Sequence, residues 1–282
     1  MLFERNNKTV NLLGTELPEP RVFLDFLGFE KHMRQIRDKR GAVVPPSWYD
    51  HPAYYIVDIT PEKVFGHGDE VHIPPAVKAG DYEFEIGCYV TKSAVVTSLE
   101  EAVAFFKENC WITIVNDWSA RDIQKKDMEG LGPANSKFII GNSMGPKFVR
   151  ASEFKMDENG VMDMEMILHV NGKERSRTNY NTLYHTHPTS GQKAAWSFPR
   201  IFTFLGSENI AVHPGYLFGS GTVGNGCIAE FMAKVDPVTG QELAPATYPW
   251  LQDGDIVTME VKGIGVLENK VRVGAKQFAA VK

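Results

Sequence analysis

Two short acidic segments contain the residues of this chain best suited to chemistry. Glu83 and Glu85 lie two positions apart in one segment, and Asp117 lies in the other. Side chains alternate between the faces of a strand, so an extended segment would project both glutamates from one face. Two carboxylates aimed at one point repel each other unless a cation lies between them. Oxygen ligands of this kind suit Mg2+, Ca2+ or Mn2+ better than Zn2+, so the spacing indicates a divalent metal site.

The two glutamates also have a simpler interpretation. Phe84, Ile86 and Cys88 alternate with polar positions, and this period predicts a half-buried strand. Taken alone, Glu83 and Glu85 are typical of the solvated face of such a strand at the edge of a sheet. The choice between these interpretations depends on the motifs elsewhere in the chain.

Composition excludes several classes of protein. The chain has 282 residues, 43% of them hydrophobic, and a formal net charge of -5, which fits a globular protein and argues against a nucleic-acid surface. Its three cysteines form no C-x-x-C pair, so they predict neither a disulfide framework nor a zinc site of that type. The first ten residues are too polar for a signal peptide, and no apolar stretch is long enough to cross a bilayer. We therefore expect a cytoplasmic protein without a membrane partner.

The periodicity predicts a mainly β fold with few helices, of the α+β class. The clearest helix covers 99–110, where a capping-box pattern begins at Ser98, and a second, short helix is predicted over 24–36. Strict alternation over 162–170 runs into Asn171-Gly172, which predicts a hairpin, and two further strands are predicted near the C-terminus.

Four segments together resemble the fumarylacetoacetate hydrolase family, in the order that the family has them over roughly residues 21–275. The segment NDWSARDIQ is the most specific of them. The resemblance implies a mixed β-sandwich roll, with an N-terminal arm over 1–20, a catalytic domain over 21–282 and a homodimer. The segments are DYEFEIG at 81–87, NDWSARDIQ at 116–124, GSGTVGNG at 219–226 and DGDIVTMEVKGIGVLEN at 253–269.

The resemblance also implies residue roles. Metal ligands fall on Asp25, Glu83, Glu85 and Asp117. His32 follows Asp25 by seven residues, which is the family spacing for a catalytic histidine, and Glu230 matches the glutamate that orients it. Without this support, His32 would be an ordinary surface histidine and Glu230 a glutamate on a strand face.

Further residues match family positions that bind substrate or stabilise negative charge. The catalytic candidates are Arg121, Gln124 and Lys137, and the substrate-binding candidates are Tyr55, Thr222 and Arg37. Four carboxylates around one divalent cation leave a formal charge of about -2, so an anionic substrate needs cations nearby. The simpler interpretation of Arg121 and Lys137 is a surface salt bridge.

Two positions depart from the animal enzymes of the family. Leu27 and Met128 stand where those enzymes have tyrosines that help to hold the substrate. This argues against fumarylacetoacetate itself as the natural substrate.

The sequence therefore predicts a hydrolase that uses Mg2+ (or Ca2+ or Mn2+) to cleave a carbon–carbon bond in a small anionic β-diketone acid, such as an acylpyruvate. An alternative within the same fold is a decarboxylase or isomerase of a 2-oxo acid. A third interpretation is a non-catalytic β protein whose carboxylates bind Ca2+ for stability.

Overall fold

In the computed structural model, strands outnumber helices within the described residues 9–12, 15–39, 41–60, 63–236, 238–239 and 241–274. Short 3-10 turns lie at Ala151–Glu153, Tyr180–Leu183 and Ile228–Phe231. The α-helices are α1 (Glu30–Asp38), α2 (Ser47–Asp50), α3 (Leu99–Asn109), α4 (Arg121–Asp127), α5 (Ala134–Phe138) and α6 (Phe198–Ser207). The strands are β1 (Thr9–Leu12), β2 (Thr15–Pro18), β3 (Val22–Phe26), β4 (Tyr54–Asp58), β5 (Val64–Phe65), β6 (Glu70–Ile73), β7 (Gly80–Asp81), β8 (Phe84–Val90), β9 (Cys110–Ala120), β10 (Gly141–Arg150), β11 (Glu165–Val170), β12 (Lys173–Asn179), β13 (Tyr184–Thr186), β14 (Lys193–Ala195), β15 (Tyr216–Gly219), β16 (Lys234–Val235), β17 (Glu242–Ala244), β18 (Ile256–Val261) and β19 (Gly265–Val273).

Two sheets form the body of the molecule, which confirms the predicted mainly β fold. An eight-stranded sheet has the order β4-β3-β15-β8-β9-β10-β5, with β7 also pairing with β9. A five-stranded sheet has the order β12-β11-β18-β19-β6. One apolar core includes buried side chains from both sheets, such as Ile112 and Ile114 of β9 and Met259 of β18. Burial of these faces is the main favourable contribution to folding.

The sequence located some helices better than others. The predicted helix at 99–110 is present as α3, and the Ser98 hydroxyl accepts a hydrogen bond from the Glu101 amide at 3.3 Å. The predicted helix over 24–36 is wrong in its first half, because residues up to Phe26 form β3 and the helix begins only at Glu30. The hairpin at Asn171-Gly172 joins β11 to β12 as expected.

Strand β8 differs from its prediction in burial. It is an interior strand between β15 and β9, and all seven of its residues are buried. Phe84, Ile86 and Cys88 lie in the main core as the alternation indicates. The opposite face, which contains Glu85, is covered rather than solvated. The interpretation as the solvated face of an edge strand is therefore wrong.

Strand β15 completes the middle of the large sheet. It pairs parallel to β3 and antiparallel to β8, with Gly219 opposite both Asp25 and Gly87. A Cβ atom added at Gly219 would collide with the Asp25 carboxylate and come within 2.8 Å of Glu85 Oε2. The missing side chain at Gly219 therefore leaves the space that these two carboxylates occupy.

The first two strands lie outside the two main sheets. Strands β1 and β2 pair as an antiparallel hairpin, and the predicted boundary of an arm at residue 20 stays a prediction. Within the described part of the chain, no helix combines the length and the apolar composition that crossing a bilayer requires.

Replacing Gly219 with alanine should disturb the carboxylates through space. We expect Gly219→Ala to lower the free energy of unfolding by about 1–3 kcal/mol, because an extra methyl group in a packed site forces its neighbours to move. Gly130→Ala is the matched control, since a Cβ atom there would contact nothing within 4 Å. Chemical denaturation of both variants measures the effect, and equal stability of the two would contradict this account of Gly219.

Candidate active site

Four buried carboxylates converge at one end of the central strands of the large sheet. Asp25 comes from β3, Glu83 directly precedes β8, Glu85 lies in β8, and Asp117 comes from β9. One oxygen atom of each lies within 4.8 Å of the others. The structure thus brings together the four residues that the sequence analysis names as metal ligands.

Strand pairing positions this acidic cluster. The Asp117 amide donates to the Glu83 carbonyl at 3.1 Å, and the Asn116 side chain accepts a hydrogen bond from the Glu83 amide at 3.0 Å. On the other side, the Gly221 amide donates to Glu85 Oε2 at 3.1 Å. The two residues of the Asn-Asp motif therefore have different roles: Asn116 fixes the backbone of Glu83, and Asp117 supplies a carboxylate to the cluster.

Three of the four carboxyl groups resist ionisation. Burial, followed by the charge of Asp117, raises the pKa of Asp25 to about 7. Burial also raises the pKa of Glu85 well above its ordinary value, with Asp25 and Asp117 adding to the effect, and it raises the pKa of Asp117. Such shifts mean that the cluster has too little positive charge nearby to ionise fully.

The donor set suits a hard divalent cation. All four candidate ligands are carboxylates, and Asp25 Oδ1 is buried without a hydrogen-bond partner among the described residues. An unpaired buried oxygen is costly unless something else binds it. A dication bound by these oxygens would pair with Asp25 Oδ1 and lower the pKa of the neighbouring carboxyl groups.

Lys137 of α5 supplies one positive charge to the cluster. Its ammonium group donates to Asp117 Oδ2 at 2.6 Å, to Ser119 Oγ at 2.7 Å and to Glu83. Burial alone would lower the pKa of Lys137, but the charges of Asp117 and Glu83 hold it above its ordinary value. The side chain is 4% exposed, so this is a buried ion pair and not a surface salt bridge.

Arg121 at the start of α4 supplies the second positive charge. Its guanidinium donates to Glu83 Oε1 at 2.6 Å, to Asp81 Oδ2 at 2.8 Å and to Gln124 Oε1 at 2.8 Å. Burial raises the pKa of Glu83, but the opposing charges of Arg121 and Lys137 are stronger and hold it well below the usual range. Glu83 is therefore the member of the cluster that ionises most readily.

Asp81 is a residue that the sequence analysis did not assign. Its fully buried carboxylate accepts hydrogen bonds from Arg121 and from the amides of Ile228 at 2.8 Å and Ala229 at 3.0 Å. It therefore joins α4 to the turn that contains Glu230. The signal was present, because Asp81 lies two positions before Glu83 and continues the same alternation.

His32 and Glu230 form a buried pair beside this cluster. His32 Nδ1 lies 3.0 Å from Glu230 Oε1, although the residues are 198 positions apart. The amides of Asn225 and Cys227 also donate to Glu230, at 3.1 and 3.0 Å. Since Glu230 is fixed by its own turn, it can hold the imidazole in one orientation. His32 is 6% exposed, so it is not a surface histidine.

Two of the three predicted substrate-binding residues reach the cluster. The Tyr55 hydroxyl donates to Asp117 Oδ2 at 2.6 Å, and the Thr222 hydroxyl donates to Glu85 Oε1 at 3.3 Å. Arg37 lies on α1 and is half-buried, but within the described part of the chain no hydrogen bond or ion pair joins its side chain to the site. The structure does not bring Arg37 together with the other candidates.

Two further features concern the surroundings of the site. Asn142 of β10, which the sequence analysis did not assign, donates to Asp117 Oδ1 at 2.7 Å and so places an amide on a candidate metal ligand. Met128, which follows α4, is 49% exposed and leaves an apolar side chain at the surface beyond Gln124.

Comparison with known proteins finds a curated relative and solved structures that share this fold. The curated oxaloacetate tautomerase YisK of Bacillus subtilis is 26% identical over 266 residues, which cover 92% of this chain and 72% of that protein. The structure of fumarylpyruvate hydrolase from Pseudomonas aeruginosa in complex with Mn2+ and pyruvate superposes with a TM-score of 0.65 at 18% sequence identity. The superposition covers 97% of this chain and 99% of the hydrolase chain. A 5-carboxymethyl-2-hydroxymuconate delta-isomerase from Mycobacterium smegmatis superposes with a TM-score of 0.59 at 19% identity, covering 94% and 85%.

The family model described as fumarylacetoacetate hydrolase, C-terminal, matches residues 21–272. This range contains the acidic cluster, the His32–Glu230 pair and all of both sheets except the last residue of β19. The chain belongs to the fumarylacetoacetate hydrolase family.

Proposed function

We propose that the protein hydrolyses a carbon–carbon bond in a small β-diketone acid, such as an acylpyruvate, with the help of a divalent metal ion. The observation that supports this most directly is the buried His32–Glu230 pair beside the acidic cluster. A hydrolase must activate water, and a histidine oriented by a carboxylate is suited to that task.

Asp25, Glu83, Glu85 and Asp117 would hold the metal ion. When bound, the ion supplies Lewis-acid polarisation of the substrate carbonyl groups and favours the enolate form of the leaving group. Asn142 and Tyr55 donate to different oxygens of Asp117, so they set the orientation of that ligand. Mg2+ and Mn2+ both fit a set of carboxylate donors, as does Ca2+.

His32 would act as the general base. Glu230 accepts the hydrogen bond of Nδ1, so Nε2 is the nitrogen that takes a proton from water. The water oxygen bonds to one carbonyl carbon, the bond to the central carbon breaks, and the proton on His32 passes to that carbon. The products are a carboxylic acid and a 2-oxo acid, and one water molecule is consumed.

Arg121, Gln124 and Lys137 would stabilise negative charge on the substrate. The side chains of Arg121 and Lys137 are 9% and 4% exposed, and both contact Glu83. Because they are held by several acceptors each, they are oriented before the substrate arrives. Prepositioned donors of this kind lower the energy of a developing oxyanion.

A second candidate function is the isomerisation, tautomerisation or decarboxylation of a 2-oxo acid at the same centre. It is favoured by the likeness to an oxaloacetate tautomerase and to a muconate isomerase. Those reactions move a proton or release carbon dioxide and need no activated water. In that case His32 would not be required for the attack of water.

Product analysis by NMR separates these reactions. Protein loaded with Mg2+ is incubated with acetylpyruvate, fumarylpyruvate and oxaloacetate, beside a control containing a chelator. Two acids formed from a diketone would support hydrolysis. Turnover of oxaloacetate alone, to its tautomer or to pyruvate and carbon dioxide, would favour the second candidate.

Removing the imidazole should abolish most of the activity while leaving the metal site in place. We expect His32→Ala to lower kcat for a diketone by about 10²–10⁴-fold, the usual contribution of a general base. His213→Ala is the control, since His213 is exposed and bonds to Ser93. Near-normal turnover by His32→Ala on every accepted diketone would contradict the assignment.

Arginine at position 121 should not be replaceable by lysine. Lysine cannot reach Glu83, Asp81 and Gln124 with one planar group, so we expect Arg121→Lys to lower kcat by about 10²–10³-fold. Arg177→Lys alters an exposed arginine that pairs with Glu165 and Glu174, and it should leave the rate within about twofold. Steady-state kinetics measure both, and equal rates would show that the shape of the guanidinium is not used.

Without metal, the contribution of Asp25 to the stability of the protein should fall as the pH rises. The pKa of Asp25 is raised from 3.8 to about 7, so its contribution to stability is full below pH 3.8 and is lost as the pH rises through 7. We expect the free energy of unfolding in chelator to fall by about 1 kcal/mol per pH unit between pH 5 and 7 relative to Asp25→Asn. Denaturant titrations of both proteins test this, and parallel pH profiles would refute it.

A further inference from the structure

A second group of candidate metal ligands lies next to the acidic cluster. A ring nitrogen of His32, the Sγ atom of Cys227 and a carboxylate oxygen of Glu230 lie within 4.8 Å of one another, and all three residues are buried. The proposed function uses His32 and Glu230 but gives no role to the thiol. The Cys227 thiol is therefore a candidate metal ligand to which the mechanism gives no role.

The donor types differ sharply from those of the acidic cluster. Nitrogen, sulfur and oxygen donors together suit Zn2+ and similar thiophilic ions, whereas Mg2+ and Ca2+ take oxygen ligands. Three protein ligands with a fourth position open is also the usual form of a zinc site that meets solvent or substrate. The two neighbouring groups would therefore select different metals.

The carboxylate still has capacity for a metal. Glu230 Oε1 accepts from His32 and from the Asn225 amide, whereas Oε2 accepts from the Cys227 amide. A carboxylate has about four lone-pair positions, so one remains on Oε2. The same amide contact fixes the backbone of Cys227 beside the carboxylate.

The turn that holds these donors is itself fixed. Asn225 adopts a left-handed conformation with φ of 67°, and both polar groups of Gln35 on α1 bond to it. Asp81 holds the amides of Ile228 and Ala229 on the other side. Because α1 contains His32, these contacts fix the position of His32 relative to Cys227 without a metal.

We propose that His32, Cys227 and Glu230 form a second metal site, for a thiophilic divalent cation such as Zn2+ or Cd2+. Binding forms a metal–sulfur bond and breaks the S–H bond, and the proton passes to solvent, with no change of oxidation state. A ring nitrogen of His32 and an oxygen of Glu230 complete the protein ligands. Occupancy removes His32 from proton transfer, so the ion is an inhibitor; this last consequence rests on the proposed function.

Binding can be measured without any turnover. Protein saturated with Mg2+ is titrated with Cd2+, and the ultraviolet charge-transfer band of a cadmium–thiolate bond is followed. We expect the band to reach one equivalent in the wild type and to be absent from Cys227→Ser, which keeps the amide contact to Glu230. No band in the wild type, or an equal band in Cys227→Ser, would overturn the proposal.

Two further variants guard against indirect effects. Cys110→Ala keeps the band, because Cys110 lies with Cys88 in the apolar core and away from the proposed ligands. His32→Ala keeps the thiol but should weaken Cd2+ binding by about tenfold or more. Unchanged affinity in His32→Ala would exclude the histidine as a ligand and overturn the site as described.

Inhibition is tested separately with Zn2+ during turnover of an accepted diketone. Inhibition that persists in excess Mg2+ and weakens about tenfold in Cys227→Ser supports the second site. Inhibition that excess Mg2+ fully relieves would place Zn2+ in the acidic cluster and refute the inhibitory role. Because the cadmium band requires no substrate, failure of the proposed hydrolase activity would leave the binding test intact.

Discussion

The site is governed by an excess of buried negative charge. Asp25, Asp81, Glu83, Glu85 and Asp117 are all buried. Two side chains bring positive charge to them: Lys137, which is buried, and Arg121, which is 9% exposed. Burying an unpaired charge is expensive, and beside the two cations the neutral side chains of Tyr55, Asn142 and Thr222 donate hydrogen bonds to the cluster. Glu83 binds both cations and ionises readily, whereas Asp25 and Glu85 lie farther from them and depend on protonation or on a metal.

The same constraint links the two halves of the proposed chemistry. Asp81 Oδ2 accepts hydrogen bonds from both Arg121 and the Ala229 amide, and Oδ1 accepts from the Ile228 amide, so Asp81 joins the cation that pairs with Glu83 to the turn that contains Glu230. A disturbance of the acidic cluster would therefore reach the His32–Glu230 pair through hydrogen bonds and not only through the electric field. Asp81 belongs neither to the acidic cluster nor to the His32–Glu230 pair, and this link between them accounts for its fully buried carboxylate.

Local patterns predicted much of this arrangement, and long-range pairing set the remainder. Alternation placed Glu83 and Glu85 on one face, and motif resemblance located Asp25, Asp117, His32 and Glu230. Alternation could not show that β8 lies inside the sheet, since its neighbour β15 comes more than a hundred residues later. For the same reason, the sequence did not indicate that Cys227 approaches His32, or that Arg37 lies apart from the network. Helix α6, whose Phe202 packs on Phe218 of β15, was missed because its apolar residues also fit a buried strand.

The place of β15 in the sheet has a consequence for how the molecule is made. Residues 216–219 lie between a strand from residues 22–26 and one from residues 84–90, so the sheet cannot close at its centre until three quarters of the chain is available. Pairing over such separations is slow, because loop closure must precede the contacts that reward it. In a nascent chain on the ribosome, Asp25 and Glu85 would therefore stay apart until late in synthesis. The two carboxyl groups would come close enough to repel each other only after β15 has been made and has paired with both β3 and β8.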